Sequence, residues 1–389
     1  MKPGARWLPP VGVGTVIRVG AGMLAAAQVA KAARRTEPLA VASVEAADAA
    51  EQVSACTISV VIPARDEASR IVPLLDALRG AQGVTEVIVV DDESSDDTAA
   101  VARRCGASVL QGAPVPNGWA GKAWALQQGI TAATGEWIVT LDADTRPNSN
   151  LAAALVQRAV RDGLDLVTVG GRFDCPTAGA RWLHPAMLTT LIYRFGPPGV
   201  RTTPGRMLAN GQCMAFRRRR FDEVDGFASV AHHVVEDVAF ARSVAARGWN
   251  VAMLDGTDLL TTRMYEDFAD TWRGWGRSLA LPGVESPVRQ LRDLAMLVLT
   301  MVLPLPRLLS GRGDVVDVAL VAIRWGTLVG TRPAYKAAGA GYWASPLADG
   351  VAVAALGRCI ISPDQRWRGR SAPSHGHDRI VRPVRSGGR

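Results

Sequence analysis

The sequence predicts an α/β protein with a mainly parallel, doubly wound sheet and an apolar helical region near the C-terminus. Two observations support this fold class. Between residues 57 and 141, short runs rich in β-branched residues alternate with segments of helical spacing, which is typical of a parallel sheet covered by crossover helices. Beyond Gly256 the character of the chain changes, and three segments between residues 289 and 361 are apolar with few charges, which is typical of membrane-embedded or fully buried helices.

The elements of the predicted sheet follow one another from Thr57. The predicted strands are Ile58–Ile62, Glu86–Val90, Ser108–Gln111 and Trp137–Leu141. The predicted helices between them cover residues 69–80, Ala99–Cys105 and Lys122–Ala133. Ligands of such sheets bind beyond the carboxyl ends of the strands. We therefore expect the functional residues directly after the strands.

The segments outside this core are assigned from hydropathy and charge. Val11–Ala30 is mostly apolar and about as long as a bilayer crossing requires, and the basic residues after it favour a cytosolic downstream side. A cleaved signal peptide is the less favoured alternative. The predicted boundaries are 1–35 for a membrane or interfacial segment, 36–55 for a linker, 56–288 for the main domain, 289–362 for transmembrane or re-entrant helices and 363–389 for a basic cytosolic tail.

The apolar helical region is expected to form a small transmembrane or re-entrant cluster. Pro304 and Pro306 interrupt its first segment, and Arg324 interrupts its second. Each segment is near or below the length of a straight membrane span, so a buried helical domain of a soluble protein is the alternative. The three segments are Arg289–Leu309, Val315–Gly330 and Pro346–Ile361.

Charge and cysteine content exclude several classes of function. The net charge of +8 comes mainly from arginine and suits anionic partners such as nucleotide phosphates or lipid headgroups. The run Arg217–Arg220 is a candidate for such a contact, with a solvated surface as the default interpretation. The sequence contains no basic run interleaved with aromatic residues, which is the pattern that would indicate nucleic-acid binding. The five cysteines are widely spaced without a C-x-x-C pair, which favours a reducing compartment and argues against zinc.

Acidic residues follow three of the predicted strands. Asp142 and Asp144 form a D-x-D pair after the fourth strand, and such a pair can bind Mg²⁺ or Mn²⁺ that bridges a diphosphate. Pro63–Glu67 follows the first strand and Asp91-Asp92 the second, where polar groups can accept hydrogen bonds from a base and a ribose. Each motif alone also suits a turn or helix cap. The chain has neither G-x-G-x-x-G after the first strand nor G-x-x-x-x-G-K-[ST], which argues against a dinucleotide fold and excludes a P-loop.

Taken in order, these motifs resemble the inverting family 2 glycosyltransferases, including the membrane-associated members that glycosylate carotenoid or other terpenoid lipids. The resemblance covers about residues 57–285 and implies a Rossmann-like nucleotide-diphospho-sugar transferase fold, called GT-A. The basic residues Arg366, Arg368 and Arg370 are also similar to a motif after the last membrane segment of lipid-modifying members. The matching segments are Ser59–Glu67, Val89–Thr98, Asn117–Ala123, Leu141–Thr145, Asn210–Gln212, Asp225–Phe227 and Val235–Val238.

The resemblance implies roles for the matched residues. Asp237 would be the catalytic base, because an acceptor hydroxyl needs a carboxylate within hydrogen-bond reach. Asp144, assisted by Asp142, would hold Mg²⁺ or Mn²⁺. Before the family is considered, Glu236-Asp237 suits an acidic helix N-terminus equally well. The predicted nucleotide-sugar-binding residues are Pro63, Ala64, Arg65, Glu67, Asp91, Asp92, Lys122, Asp142, Gln212, Glu236, Arg273 and Arg277.

One segment departs from the family pattern. Processive relatives carry Q-x-x-R-W, which holds the donor pyrophosphate, whereas this chain has Trp272–Arg277 at the equivalent position. Either Arg273 or Arg277 would then supply the phosphate contact, and transfer of a single sugar is favoured over chain extension. We expect Trp272 and Trp275 at a membrane interface. The stripe from Trp182 to Phe195 suits a membrane interface or a protein core equally.

These observations predict an enzyme at the cytoplasmic face of the cell membrane. Its expected reaction is inverting transfer of one sugar from a nucleotide-sugar donor, such as a UDP-hexose, to a lipid acceptor, with no nucleic acid as a partner. Alternatives are a glycosyltransferase of cell-envelope polysaccharide or glycolipid, a sugar nucleotidyltransferase, and a non-catalytic membrane scaffold. A nucleotidyltransferase is disfavoured because its Gly-rich phosphate loop is absent after the first strand.

Overall fold

The computed structural model describes residues 12–40, 56–200, 202–363, 366–367 and 370–371. Part of the predicted N-terminal segment, most of the predicted linker and most of the basic tail, with Arg368, lie outside the described residues. The prediction of a cytosolic tail therefore stays a prediction.

A seven-stranded sheet forms the centre of the fold, in the order β3-β2-β1-β4-β8-β6-β9. Strand β8 runs antiparallel to both of its neighbours, and the other neighbouring pairs are parallel, so the predicted mainly parallel sheet is confirmed. Strands β5, β10 and β7 form a small second sheet. The strands are β1 Ile58–Ala64, β2 Val84–Asp91, β3 Ser108–Gln111, β4 Trp137–Leu141, β5 Thr145–Pro147, β6 Leu166–Gly170, β7 Arg172–Phe173, β8 Cys213–Arg217, β9 Val251–Asp255, β10 Leu260–Thr262, β11 Arg366–Trp367 and β12 Arg370–Ser371.

Helices cover both faces of this sheet and build the region beyond it. The four predicted strands and the three predicted helices are present, with ends shifted by at most two residues. The α-helices are α1 Val13–Ala30, α2 Ile71–Leu78, α3 Thr98–Arg104, α4 Gly121–Ala132, α5 Leu151–Asp162, α6 Ala178–Phe195, α7 Arg218–Asp222, α8 Glu236–Ala246, α9 Phe268–Ser278, α10 Pro287–Leu297, α11 Pro304–Leu309, α12 Val315–Thr331, α13 Gly339–Trp343 and α14 Asp349–Ile361.

Burial of β1 on both faces explains its continuous apolar sequence. Successive side chains of a strand point to opposite faces. Val60 and Ile62 pack on one face with Leu74 of α2, whereas Val61 packs on the other with Leu126 of α4. A strand that is covered on both sides needs apolar residues at every position, as parallel sheets do. The covered sheet holds the carboxyl ends of β1, β2 and β4 at one edge.

Helix α6 is the centre of the helical region. Helices α1, α9, α13 and α14 pack against it, and the shared core contains Leu183, Met296 and Leu356. The helical region therefore includes α6 and α9 from within the predicted main domain, as well as the segment after residue 288. The stripe along α6 lies mostly in this core, with Met187, Ile192 and Phe195 buried.

The expectation of a membrane interface at Trp275 is wrong. This side chain is buried and packs edge-on against His184 of α6, with ring centroids 5.2 Å apart, because α9 turns this face toward α6. Trp272 is half-buried and lies under the guanidinium of Arg358, 5.6 Å from its ring centroid. Both tryptophans thus contact protein side chains of the helical region.

Within the described residues, Val13–Arg34 is the one helical segment long and apolar enough to cross a membrane. Core helices of soluble proteins and signal sequences pass the same criterion. Helix α1 also makes specific contacts, since buried Arg18 forms ion pairs with Asp314 and with Asp317, the latter at 2.7 Å. One face of α1 exposes apolar side chains such as Ile17 and Met23.

The C-terminal apolar segments fold as short helices. The first is interrupted by a π-helical turn, Val298–Val302, before Pro304 begins α11. Arg324 of α12 is buried and paired with Asp349 of α14 at 2.8 Å. Among the described residues, none of these helices meets the length and hydropathy of a membrane span.

Candidate active site

The loops after β1 and β2 meet at the carboxyl edge of the sheet. The main-chain N–H of Asp92 donates to the Ala64 carbonyl at 2.8 Å. Nη1 of Arg65 donates to the Asp92 carbonyl at 2.5 Å and lies 3.8 Å from Oδ2 of its carboxylate. Asp92 is fully buried, and a buried carboxylate requires a nearby cation or donors. The structure thus joins predicted nucleoside-binding residues of two strand ends.

Asp91 and Glu67 are buried beside this contact. Oδ2 of Asp91 accepts a hydrogen bond from Nε2 of Gln111 on β3 at 2.9 Å, whereas Oδ1 has no partner among the described residues. The main-chain N–H of Glu67 donates to Oγ1 of Thr98 at 2.8 Å, which fixes the loop against α3. Because a buried acceptor without a partner is costly, Oδ1 of Asp91 fits a donor supplied by a ligand.

Lys122 links two of the predicted acidic motifs. It occupies the first turn of α4, and its Nζ lies 2.9 Å from Oδ1 of Asp142 and 3.0 Å from Oε1 of Glu236. Burial lowers the pKa of Lys122, but the charges of Asp142, Glu236 and Asp237 raise it more, so that the net pKa is raised. Lys122 is therefore a cation, and Asp142 has its counter-charge within the protein.

Glu236 and Asp237 begin helix α8. Oδ2 of Asp237 accepts from the main-chain N–H of Gly211 at 2.6 Å, and Oδ1 accepts from that of Val238 at 2.8 Å. Burial raises the pKa of both carboxyl groups, against the lowering effect of Lys122. A Cβ at Gly211 would lie 3.0 Å from Cβ of Asp237 and 3.1 Å from Oδ2. The absence of a side chain at Gly211 thus lets the loop before β8 orient this carboxylate.

Gln212 connects β4, β8 and β10. Its carbonyl accepts from the main-chain N–H of Asp142 at 3.1 Å. Its side-chain Oε1 accepts from Nδ2 of Asn210 at 3.1 Å and from Oγ1 of Thr262 at 3.3 Å. These bonds make Gln212 a support of the Asp142 strand end, and its predicted contact with the donor stays a prediction.

The sequence interpretation missed Arg146 and Arg263, which lie near Asp144, and Arg70, which lies near Arg146. The Asp144 carbonyl accepts from the main-chain N–H of Arg263 at 3.2 Å. Burial lowers the pKa of Arg146; the Asp144 charge raises it, and the charges of Arg263 and Arg70 lower it further. Pairing of β5 with β10 brings Arg263 there. Arg146 directly follows the D-x-D-T motif, and this position in the sequence could have identified it as a residue of the site.

The oxygen donors at this edge fit a hard divalent cation. Asp142 and Asp144 are half-buried, and Mg²⁺ sites commonly combine one or two carboxylates with substrate phosphates. No group of three or more His, Cys, Asp or Glu residues with metal-binding geometry occurs in the described part of the chain. A cation held here would therefore complete its shell with phosphate oxygens or water. Since Lys122 already neutralises Asp142, Asp144 is the better ligand of the two.

The predicted phosphate-binding arginines lie on α9. Arg273 is exposed, and the Arg277 carbonyl accepts from Sγ of Cys359 on α14 at 3.3 Å. Their role at the diphosphate stays a prediction. Arg217 pairs with Glu136 and is in register with Trp137, where β4 begins. The run Arg217–Arg220 therefore starts at the opposite edge of the sheet from the acidic motifs.

The mainly parallel sheet with acidic residues at its carboxyl edge has the fold of the GT-A class of nucleotide-diphospho-sugar transferases. Residues 59–225 match the family model described as glycosyl transferase family 2. Over these residues the chain is therefore similar to the family 2 glycosyltransferases. This result confirms the resemblance seen in the sequence motifs.

Two curated relatives bear the name of a diaponeurosporenoate glycosyltransferase. A 4,4'-diaponeurosporenoate glycosyltransferase of Staphylococcus haemolyticus is 28% identical over 58% of this chain and 61% of that protein. The Staphylococcus aureus protein of the same name is 26% identical over 57% of this chain and 60% of its own length. The chain thus spans about three fifths of the length of these relatives.

A solved structure supports the fold. The mannosyltransferase PcManGT from Pyrobaculum calidifontis, in complex with GDP-Man and Mn²⁺, is 17% identical and aligns with a TM-score of 0.53. The alignment covers 90% of this chain and 97% of that protein. At this identity the likeness concerns the fold alone.

Proposed function

We propose that this chain transfers a single sugar from a nucleotide-diphosphate sugar, such as a UDP-hexose, to a carotenoid or other terpenoid lipid at a membrane. The observation that carries the proposal is the ionic cluster of Lys122 with Asp142 and Glu236, beside the carboxylate of Asp237. It gathers side chains from α4, β4 and α8 at the sheet edge where ligands of parallel sheets bind.

The donor would lie across the ends of β1, β2 and β4. Asp91 offers the nucleoside a buried acceptor, and Arg65 holds Asp92 in place. Asp144 would hold Mg²⁺ or Mn²⁺, which supplies charge neutralisation for the departing nucleoside diphosphate. The nearby Arg146 and Arg263 add positive charge on the same side.

Asp237 is proposed as the base that accepts the proton of an acceptor hydroxyl. Two main-chain N–H groups fix its carboxylate, and its raised pKa makes it a stronger proton acceptor than an exposed aspartate. Direct attack on the anomeric carbon inverts its configuration. A carboxylate acceptor is already ionised, so that Asp237 would then mainly orient the acceptor.

Three observations support a lipid acceptor and a cytoplasmic membrane face. The relatives bear the name of a carotenoid-acid glycosyltransferase. Helix α1 exposes an apolar face, and basic residues follow it at Lys31, Arg34 and Arg35, as expected for a cytosolic side.

Purified chain in vesicles with radiolabelled UDP-glucose, Mn²⁺ and a C30 carotenoid acid or a terpenoid alcohol tests the proposal. We expect one sugar per lipid and release of a nucleoside diphosphate, with the product lost in EDTA and in Asp237→Asn for the alcohol. Release of inorganic pyrophosphate would instead identify a nucleotidyltransferase. No transfer to any lipid across several nucleotide sugars would overturn the proposal.

A further inference from the structure

The helical region contains a cavity of about 450 Å³, a volume within the range of small-molecule sites. Its walls come from the π-helical turn, α11, α12, α13 and the segment Ser345–Ala348. None of its lining residues belongs to the acidic edge of the sheet. The cavity is therefore a separate site from the proposed donor site.

The polar groups of the cavity wall are mostly satisfied within the protein. Nε and Nη2 of Arg324 donate to Asp349 at 2.9 and 2.8 Å, and Nη2 also donates to Oγ of Ser345 at 3.1 Å. Oγ1 of Thr300 donates to the Met296 carbonyl at 2.8 Å. Among the polar side-chain N–H groups of these lining residues, Nη1 of Arg324 lacks a partner in the described structure. Apart from Thr300, Arg324 and Asp349, the lining side chains are aliphatic, aromatic or a thioether. An ordered water needs two to four polar partners, which this one N–H does not supply, so the lining favours an apolar occupant.

The exposed lining residues show where the cavity opens. Trp325, Trp343 and Leu347 line it and are 43%, 37% and 65% exposed. The two indole rings are nearly parallel, with centroids 6.3 Å apart. Tryptophan is favoured where protein meets the headgroup level of a bilayer. The mouth of the cavity thus has the composition of a membrane-contacting surface.

Exposed apolar side chains of the neighbouring helices extend this surface. They are Leu303, Leu309, Val315, Val318 and Val329, each at least 36% exposed. Helix α12 also packs against α1, which exposes Val16, Ile17, Met23 and Leu24. Grouped exposed apolar residues of this kind mark interaction sites with proteins or membranes, and tryptophans at the cavity mouth favour the membrane.

We propose that this cavity takes up one hydrocarbon chain of a bilayer phospholipid, so that lipid completes the packing between α11, α12 and α13. The inference rests on the proposed attachment of the chain to a membrane. It assigns the cavity to a structural lipid and separates it from the acceptor that receives the sugar.

Photolabelling in vesicles tests this assignment. The full chain is bound to vesicles of phosphatidylcholine and phosphatidylglycerol in which one acyl chain carries a terminal diazirine, and adducts are mapped by mass spectrometry. We expect adducts to concentrate on cavity-lining residues such as Val321, Trp325 and Leu347. Ala340→Trp places an indole at the cavity wall and should reduce these adducts roughly tenfold.

Matched variants separate cavity filling from other effects. Val329→Trp adds the same ring to an exposed site of α12 that does not line the cavity, so its cavity adducts should equal those of the wild type. Ala344→Leu is a smaller filling variant if Ala340→Trp fails to fold. Asp237→Asn should lose sugar transfer to a hydroxyl acceptor and keep the adducts, which distinguishes failure of this site from failure of the proposed enzyme.

Four results would overturn the proposal. They are an absence of vesicle binding, adducts spread evenly over the exposed apolar residues of α1 and α12, adducts that persist in both filling variants, and full displacement of the phospholipid by an equimolar terpenoid carboxylic acid. The last result would assign the cavity to the acceptor instead.

Discussion

Replacing Lys122 with methionine tests how much the positive charge of this side chain contributes to the free energy of unfolding. The side chain of Lys122 is 15% exposed and bridges Asp142 and Glu236, with the charge of Asp237 nearby. Removing one partner of a buried ion pair costs about 3–5 kcal/mol. Because Asp142 is 26% exposed and Glu236 can take up a proton, we expect about 3 kcal/mol at pH 8.

The cost should depend on pH with a defined sign. Burial raises the pKa of Glu236, and Lys122 opposes this effect, so the substitution raises that pKa further. When burial raises the pKa of a carboxyl group, the folded protein binds that proton more tightly than the unfolded chain does. The folded state is therefore favoured at low pH, and this stabilisation is lost as the pH rises from the unfolded-state pKa through the folded-state pKa. The free-energy cost of Lys122→Met should therefore be largest at pH 8 and shrink toward pH 5.

Urea denaturation in EDTA from pH 5 to pH 8 measures this effect. Lys336→Met is the matched control, because Lys336 is 63% exposed where it pairs with Asp174, and exposed pairs contribute less than about 1 kcal/mol. A cost for Lys122→Met that equals this control, or that is the same at all pH values, would refute the reasoning.

Three further substitutions test individual contacts. Asp237→Asn should lower kcat with a hydroxyl acceptor by about 10²–10⁴; in the wild type, kcat should rise with pH through the raised pKa of Asp237, and a flat pH profile would contradict this role. Gly211→Ala should displace the Asp237 carboxylate and lower kcat by roughly 10²-fold while the urea midpoint changes little; unchanged kcat would show that the carboxylate position is not critical. Arg324→Met should reduce the unfolding free energy by about 3–5 kcal/mol because it leaves Asp349 buried without its cation, whereas Arg324→Met with Asp349→Leu should recover most of that loss; equal losses in the single and double variants would contradict this explanation.

Most of the central sheet is predictable from the sequence because its strands are locally encoded. The β-branched run of β1 is buried on both faces, so each of its positions carries the same apolar signal. The acidic loops were located by their positions directly after such strands. The ion pair between Lys122 and Glu236 joins residues far apart in the chain, and strand spacing alone does not specify it.

The failures of the sequence interpretation also come from contacts between residues that are far apart in the chain. Tryptophan is a residue type that favours membrane interfaces, but Trp275 is buried because α6 lies against it. Arg263 reaches the neighbourhood of Asp144 only because β5 and β10 pair. The ion pairs of Arg18 also lie beyond the reach of local sequence patterns, because its partners Asp314 and Asp317 are almost 300 residues away.

Titration calorimetry of UDP binding with and without Mn²⁺ tests the central claim most directly. The claim is that carboxylates from separate strand ends hold one cation-bound diphosphate. We expect Mn²⁺ to tighten UDP binding by roughly tenfold or more in the wild type and to have almost no effect in Asp144→Asn. Equal UDP affinity in Mn²⁺ and in EDTA, or an unchanged Mn²⁺ effect in Asp144→Asn, would contradict the account.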